Sequence, residues 1–327
     1  MKVVLTGMDT YPARSLRLML ESVGYEVFML SDSALDRLSK LGYKGGVRAE
    51  MLKNMGYVDA AIPFTDESSL ADCDLFVDLK RKEADTLLPI YPRLRGKMLM
   101  YVINGGWDDY EDYAYYYPTI TNNMWIMGAF RTWSPIAWDI APKDAPGTNT
   151  PIGLLHNAKN WGFGGILDRV IDRTGLRVYG SYDSPAGMLP NEKVPEELRQ
   201  ASCFVHLKAS DCPGWALFEA FATATPVVVT DLFIQRMNFR DMYEDGVTCL
   251  TWGKTSYEKK DEKHLVEFMD REGPRMIEEI VDCVERLKDP ELNRRIGLAG
   301  YERWKHLTEW TPGKRDALAK YLHDHVI

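Results

Sequence analysis

The stretch "SDCPGWALFEAFATATPVVVTD", Ser210 to Asp231, decides how this chain is read. It sets Asp211 eight positions ahead of Glu219, with a proline, a glycine and an aromatic between them. The run before it, "CFVHLKA", is strand-like; "WALFEAFAT" reads as a helix, and "PVVV" as a buried β-branched strand. Strand, loop, helix and strand in so short a span form a βαβ unit, which pairs its strands in parallel. Ligands of such sheets sit beyond the carboxyl ends of the strands, where loops feed helix N-termini. The loop ending in Gly214 is such a place. Glycine lets the main chain approach a ligand closely, and the first-turn amides of Trp215, Ala216 and Leu217 have no partner within the helix. Those donors and the partial positive charge of a helix start suit a phosphate group. Glu219, one turn in, is placed to accept from a ribose diol, and Asp211 to hold the hydroxyls of a second polar group. The competing reading of two acids at this spacing is a helix cap followed by a solvated helix residue.

Working outward, the same alternation runs through the chain. "KVVLTG" is a β-branched run ending in glycine, "ARSLRLMLESVGY" has apolar residues at helical spacing, and "YEVFML" is a second strand. Helical segments around 33–55 precede "CDLFVDL" and "KMLMYVING", which read as strands. Residues 134–151, rich in Pro, Ala, Gly and Thr and without periodicity, read as a linker. A second series follows: "IGLLH", "GGILDRVIDRTG", "LRVYG", "PEELRQA", and then the opening stretch. No sequence repeat is visible, but the architecture occurs twice. The fold class is α/β, with two Rossmann-like domains.

Bulk properties exclude several classes. At 327 residues, with 45% hydrophobic and 27% charged residues, the chain has room for two ordinary globular cores. Residues 1–150 carry 16 Lys/Arg against 20 Asp/Glu and the remainder 24 against 28, so charge does not separate the halves. A net charge of −8 argues against a surface built to coat nucleic acid, though a local basic groove remains compatible with it. Cys73, Cys203, Cys212, Cys249 and Cys283 are odd in number and scattered, which disfavours a disulfide framework or zinc site and predicts reduced thiols. No apolar run is long enough to span a bilayer and no signal peptide is evident, so a cytoplasmic protein without membrane association is expected.

The opening stretch resembles the donor-binding signature of the GT-B-fold retaining glycosyltransferases, the large family numbered four. That signature is an acidic residue, seven others, Glu, a small-residue helix and a "GTPVV" strand. Here Asp211 stands where the family more often has Glu, and Ala224 stands at the glycine before Thr-Pro. "DMYEDGVTCLTW" resembles the family's short "dG-x-x-G" segment, with Cys249 at the second glycine. "LKDPELNRRIGLAGYERWKHLTEW" resembles its C-terminal helix pair. The three fall in family order over residues 195–312.

The resemblance implies an acceptor domain over 1–148, a nucleotide-sugar domain over 149–312, and a helix over 313–327 that crosses back to the first domain, the two facing a central cleft hinged near 134–150 and 312. It implies Glu219 on the donor ribose, Asp211 on the transferred sugar, and amides around Gly214 to Leu217 cradling the diphosphate. No metal or other cofactor is then needed. The donor is a nucleotide sugar, with a UDP-sugar the leading choice. The family's Arg–Lys phosphate clamp is represented by Lys159, with His156 or Asn157 in the arginine's place. The family's N-domain histidine is not matched, because all six histidines lie in the second half. His206, alternating with apolar residues in its strand, reads as a core or crevice-wall residue.

In the first domain, "TGMDTYP" places Gly7 on the donor side and Asp9 and Tyr11 on the acceptor side. "NGGWDDYEDYAYYY" offers Asp108 or Asp109 to orient an acceptor hydroxyl, Asp108 being the first choice, and Trp107 and Tyr110 to stack on a sugar or base. Basic and aromatic residues interleave around Lys80, Arg81, Lys82, Arg93, Arg95, Lys97 and Arg131. They read as solvated ends or as a grip on DNA phosphates, and phage enzymes of this fold glycosylate hydroxymethylated pyrimidines in DNA. That is the leading specific acceptor. A saccharide or small-molecule acceptor, and a non-catalytic nucleotide-sugar-binding protein, are the alternatives. A nicotinamide-linked dehydrogenase is disfavoured because no G-x-G-x-x-G fingerprint follows a strand.

Overall fold

The computed structural model describes residues 1–6, 10–43, 62–78, 85–102, 118–121, 129–132, 140–147, 150–155, 164–180, 184–190, 193–207, 215–236, 240–253 and 265–326. Two compact units emerge, Met1–Trp138 with Thr308–Ile327, and Asp139–Leu307.

In the first unit the strands are β1 (Lys2–Leu5), β2 (Glu26–Leu30), β3 (Phe64–Thr65), β4 (Leu75–Asp78), β5 (Met98–Val102), β6 (Thr119–Thr121) and β7 (Phe130–Arg131). Helices α1 (Thr10–Ser22) and α2 (Asp32–Lys40) follow β1 and β2. The sheet runs β3-β2-β1-β4-β5-β6-β7 and every pairing is parallel. Val3 lies opposite both Val27 and Leu75, which sets the central register. All four residues of β4 are buried, as a strand covered on both faces requires. Helix α2 is marked at both ends by its sequence. The Ser31 hydroxyl accepts from the Ala34 amide at 3.1 Å, and Asp32 complements the helix start. At the other end Gly42 adopts φ +99°, while the amides of Gly42 and Tyr43 donate to Ser39 and Leu38 carbonyls. This is the Schellman pattern, and it drives Tyr43 into the same apolar cluster as Leu38, Phe76 and Leu87.

In the second unit the strands are β8 (Ile152–Leu155), β9 (Arg177–Gly180), β10 (Phe204–His206), β11 (Val227–Thr230) and β12 (Leu250–Trp252), in the order β12-β11-β10-β8-β9, again all parallel. Between and after them lie α3 (Gly164–Thr174), α4 (Val194–Gln200), α5 (Trp215–Ala222), α6 (Asp231–Arg236), α7 (Leu265–Arg286) and α8 (Pro290–Thr308). One core is built by Val170 of α3, Val178, Val205, Val228 and Trp252 of the strands, and Met276 and Ile280 of α7. Helix α9 (Pro312–His325), capped by Thr311, packs on the first unit: the Tyr321 hydroxyl accepts from the Thr119 amide at 2.8 Å. Just ahead of it, the Trp310 indole donates to Ser22 at 3.0 Å.

Two features bear on the sequence reading. Residues 140–147, part of the stretch read as a linker, are stitched to the second unit. The Lys143 amide donates to the Thr223 carbonyl at 3.0 Å, its ammonium to the Ala201 carbonyl at 3.1 Å, and Arg199 to the Ala141 carbonyl. The second feature is Ala224, which takes φ +54°. The amides of Ala224 and Thr225 donate to Phe221 and Ala220, so Ala224 holds the left-handed position that closes a Schellman motif, where glycine is usual. Helix α8 presses on this turn, and a Cβ added to Gly297 would sit 2.2 Å from the Ala224 carbonyl oxygen.

Ala224→Gly is therefore expected to stabilise the protein by about 1 kcal/mol, because it relieves the left-handed strain. Gly297→Ala is expected to cost about 2 kcal/mol through overpacking. Urea unfolding checks both, and an Ala224→Gly variant less stable than wild type would contradict the first. Burial pushes the Lys143 ammonium down to about 8, against a weaker opposing pull from Cys203. From there up to the ordinary lysine range near ~10.4, the unfolded chain holds a proton that the folded protein has shed, so this residue makes stability rise with pH. Unfolding wild type and Lys143→Met between about pH 7.5 and about pH 10 tests this, and parallel curves would refute it.

Candidate functional site

The carboxyl edge of the second sheet is where the opening stretch lies. Strand β10 ends at His206, and α5 begins at Trp215. Trp215, Ala216 and Leu217 form the first turn of α5, where the amides lack helical partners. The Leu217 side chain is fully buried and that of Ala216 half-buried, which fixes this turn against the sheet. Glu219 follows one turn later on a helix that is otherwise apolar, and it is only 4% exposed. The reading of Glu219 as a solvated helix residue fails on that burial. A carboxylate taken out of water is costly unless specific partners compensate it, so its retention on an apolar helix marks a functional candidate.

His206 is buried at the end of β10, its ring 4.3 Å from that of Phe233 and 6.2 Å from that of Phe204. It is a buried residue among aromatics, in keeping with the core or crevice-wall reading of its strand alternation. The "dG-x-x-G"-like segment forms a tight turn, with Gly246 at φ +76° and its amide donating to the Cys249 carbonyl at 2.8 Å. Cys249 is buried and bridges to Asp245 ahead of β12, so no left-handed residue is required there.

Of the remaining candidates, Asp211, Gly214, Lys159, His156, Asn157, Gly7, Asp9, Asp108, Trp107 and Tyr110 lie outside the described residues. Tyr11 falls in the first turn of α1. Lys80, Arg81 and Lys82 also lie outside them. Arg93 and Arg95 are exposed, whereas the Lys97 ammonium is committed to the Cys73 carbonyl at 3.1 Å. Lys97 thus acts as a brace and not as part of a phosphate grip.

Sequence reading missed two groups at strand ends. Thr230 closes β11 with a buried hydroxyl that has no hydrogen-bond partner among the described residues, 3.1 Å from where a Cβ on Gly253 would stand. In the first unit Thr6, Tyr43 and Asp78 form a buried hydrogen-bonded chain. A threonine ending a strand and a Gly-Tyr after a helix are commonplace, so neither signal stands out in sequence.

Among the described residues no group of three or more His, Cys, Asp or Glu is placed to hold a metal ion. No helix among them is long and apolar enough to cross a membrane.

No protein-family model matches the chain, and no curated protein does. Solved structures do. Anabaena Alr3699/HepE in complex with UDP is similar at a TM-score of 0.63 and 11% identity, over 99% of this chain and 100% of that one. The same protein in complex with UDP-glucose gives 0.60. Sucrose-phosphate synthase from Thermosynechococcus elongatus gives 0.59 at 10% identity, over 99% of this chain and 98% of the other. A glycosyltransferase from Rickettsia africae ESF-5 gives 0.54 at 9%, over 98% of each chain. At these identities the likeness establishes the fold: two Rossmann-like parallel-sheet units of the GT-B class.

Burial pushes Cys203, Cys249 and Cys283 up to about 12 and Cys73 up to about 11, so none is a ready nucleophile. A thiol reagent applied to the native protein near neutral pH is expected to leave all four unmodified, with mass spectrometry as the readout. Labelling of any of them before unfolding would refute this assignment.

Proposed function

We propose that this chain is a retaining glycosyltransferase that moves a sugar from a UDP-sugar to a hydroxyl acceptor. The observation that carries the reading is the buried Glu219 one turn behind the start of α5, at the carboxyl edge of a parallel sheet. Full-length fold likeness to a protein solved with UDP and with UDP-glucose supports it.

On this reading Glu219 accepts from the ribose hydroxyls and Asp211 from hydroxyls of the transferred sugar. Amides from Gly214 to Leu217 receive the diphosphate, whose charge grows as the glycosidic bond breaks. Fixed donors in a water-poor site stabilise that charge more than water does. Lys159, with His156 or Asn157, supplies the cation, and Gly7 lets the first domain approach the donor. Retention follows from attack on the face the diphosphate leaves, with the leaving phosphate taking the acceptor proton. Asp108 orients the acceptor hydroxyl, and Asp9, Tyr11, Trp107 and Tyr110 line its approach. A hydroxymethylated pyrimidine in DNA is the first acceptor to try, ahead of saccharides.

The test is a panel of nucleotide sugars followed by calorimetry and UDP release. Wild type is expected to bind UDP and turn over one UDP-sugar. Glu219→Gln is expected to weaken UDP binding by about 10- to 100-fold, the worth of a hydrogen bond to a charged group. Binding without turnover, even with hydroxymethylated DNA and oligosaccharides present, would make the protein a nucleotide-sugar binder. No binding of any panel member would overturn the reading altogether.

A further inference from the structure

Residues 140–147 lie directly after the point where the chain passes into the second unit at Asp139. They form no helix or strand, yet they are held at several points to one place, the junction of α4 with β10 and the end of α5. The Lys143 amide donates to the Thr223 carbonyl at 3.0 Å, and Arg199 donates to the Ala141 carbonyl at 3.1 Å. Gly147 lies so close to the α4–β10 junction that a Cβ on it would stand 1.9 Å from the Ala201 carbonyl oxygen. The Lys143 side chain reaches the same carbonyl, to which its ammonium donates at 3.1 Å. Main chain and side chain thus converge on Ala201.

An ammonium drawn out of water is ordinarily matched by a carboxylate. Among the described residues Lys143 has none, and the Ala201 carbonyl is its one side-chain partner. The elements packed around it supply no free acid. On α4, Glu196 is taken by Arg199 at 3.1 Å and Glu197 by Arg177 at 3.2 Å, and Arg199 is itself a second cation beside residues 140–147. Just ahead of β10 stands Cys203, whose thiol stays protonated through burial. Helix α5 brings Thr223, and α8 brings Asn293, which donates to the Ser202 carbonyl at 2.7 Å; both are neutral. Asp144, the next residue along, is exposed. The seat therefore favours the neutral amine, which keeps an N–H for the Ala201 carbonyl and carries no unmatched charge. Burial accordingly holds Lys143 down to about 8. A lysine out of that seat, in water, keeps its proton up to about 10.4. Leaving the seat thus takes up a proton, and the seated form gains as pH rises from about 8 toward about 10.

We propose that residues 140–147 are a proton-linked strap, which seats on the α4–β10 junction and the end of α5 with Lys143 neutral and lets go more readily when that amine is protonated. The strap opens locally, while the sheet behind it stays folded. Because it follows the passage of the chain from one unit to the other, its release lengthens the connection there.

The experiment follows two signals in the full chain. One is the titration of the Lys143 amine by heteronuclear NMR; the other is the protection of the Lys143 backbone amide from hydrogen exchange, corrected for the intrinsic rate at each pH. In wild type the amine is expected to titrate near 8. Amide protection is expected to rise about fivefold from about pH 8 to about pH 9. Lys143→Met, which fills the seat without a charge, is expected to hold that protection constant over the same range. Gly147→Ala, whose Cβ meets the Ala201 carbonyl, is expected to unseat the strap and return the amine to about 10.4. Wild-type Lys143 titrating in the ordinary lysine range would overturn the strap. So would protection that varies with pH alike in wild type and Lys143→Met. Protection no weaker than that of the Phe204 amide, bonded to the Pro226 carbonyl within the sheet, would mean that these residues let go only when the unit unfolds, and would overturn it as well. A folded Gly147→Ala whose amine still titrates near 8 would do the same, because the burial of the lysine would not depend on the seat. Should Gly147→Ala fail to fold, wild type against Lys143→Met decides the matter.

Discussion

Parallel strands covered on both faces leave a protein very few places to put chemistry. The main chain of β10 and β11 spends its hydrogen bonds on the ladder, and the side chains of β11 are buried above and below. Polar groups are then confined to strand ends and to the helices that return between strands. The turn from α5 into β11 is the tightest of these constraints. It passes through Ala224 in a left-handed conformation, with Gly297 of α8 against its carbonyl, and so holds α5 against the sheet. That contact fixes the first turn of α5 and, one turn on, Glu219.

The two units solve the same problem with different polar inventories. In the second, the buried carboxylate of Glu219 sits on an apolar helix, and His206 at a strand end meets the ring of Phe233 on the helix after β11. In the first, the buried carboxylate Asp78 is tied by a tyrosine and a threonine across neighbouring strands. Lys143 shows the third use of a buried polar group. It neither binds nor brings groups together at a strand end, but anchors residues 140–147 to the helix ends behind the second sheet.

What was legible in sequence follows the length and purity of each signal. "KVVLTG", "CDLFVDL" and "PVVVTD" are continuous apolar runs, and the structure makes strands of all three. The strands β3, β6, β7 and β12, at or next to the sheet edges, are two or three residues long, such as Phe64–Thr65, and too short for any periodicity to register. Residues 140–147 fall in the stretch read as a linker because it is rich in Pro, Ala, Gly and Thr and lacks periodicity, and composition carries no record of a distant carbonyl such as that of Ala201.

By itself the sequence determined the parallel α/β alternation, its repetition in two halves, and the helix start that follows "SDCPG". Those properties are local: hydrophobic period, β-branching and glycine act within a few residues of where they are read. Tertiary structure alone decided that Glu219 is buried and not solvated, that Ala224 stands in for glycine under strain, and that Tyr43 joins Thr6 to Asp78. Each of these depends on residues far apart in the chain being brought to one strand end, and no local propensity encodes such a meeting.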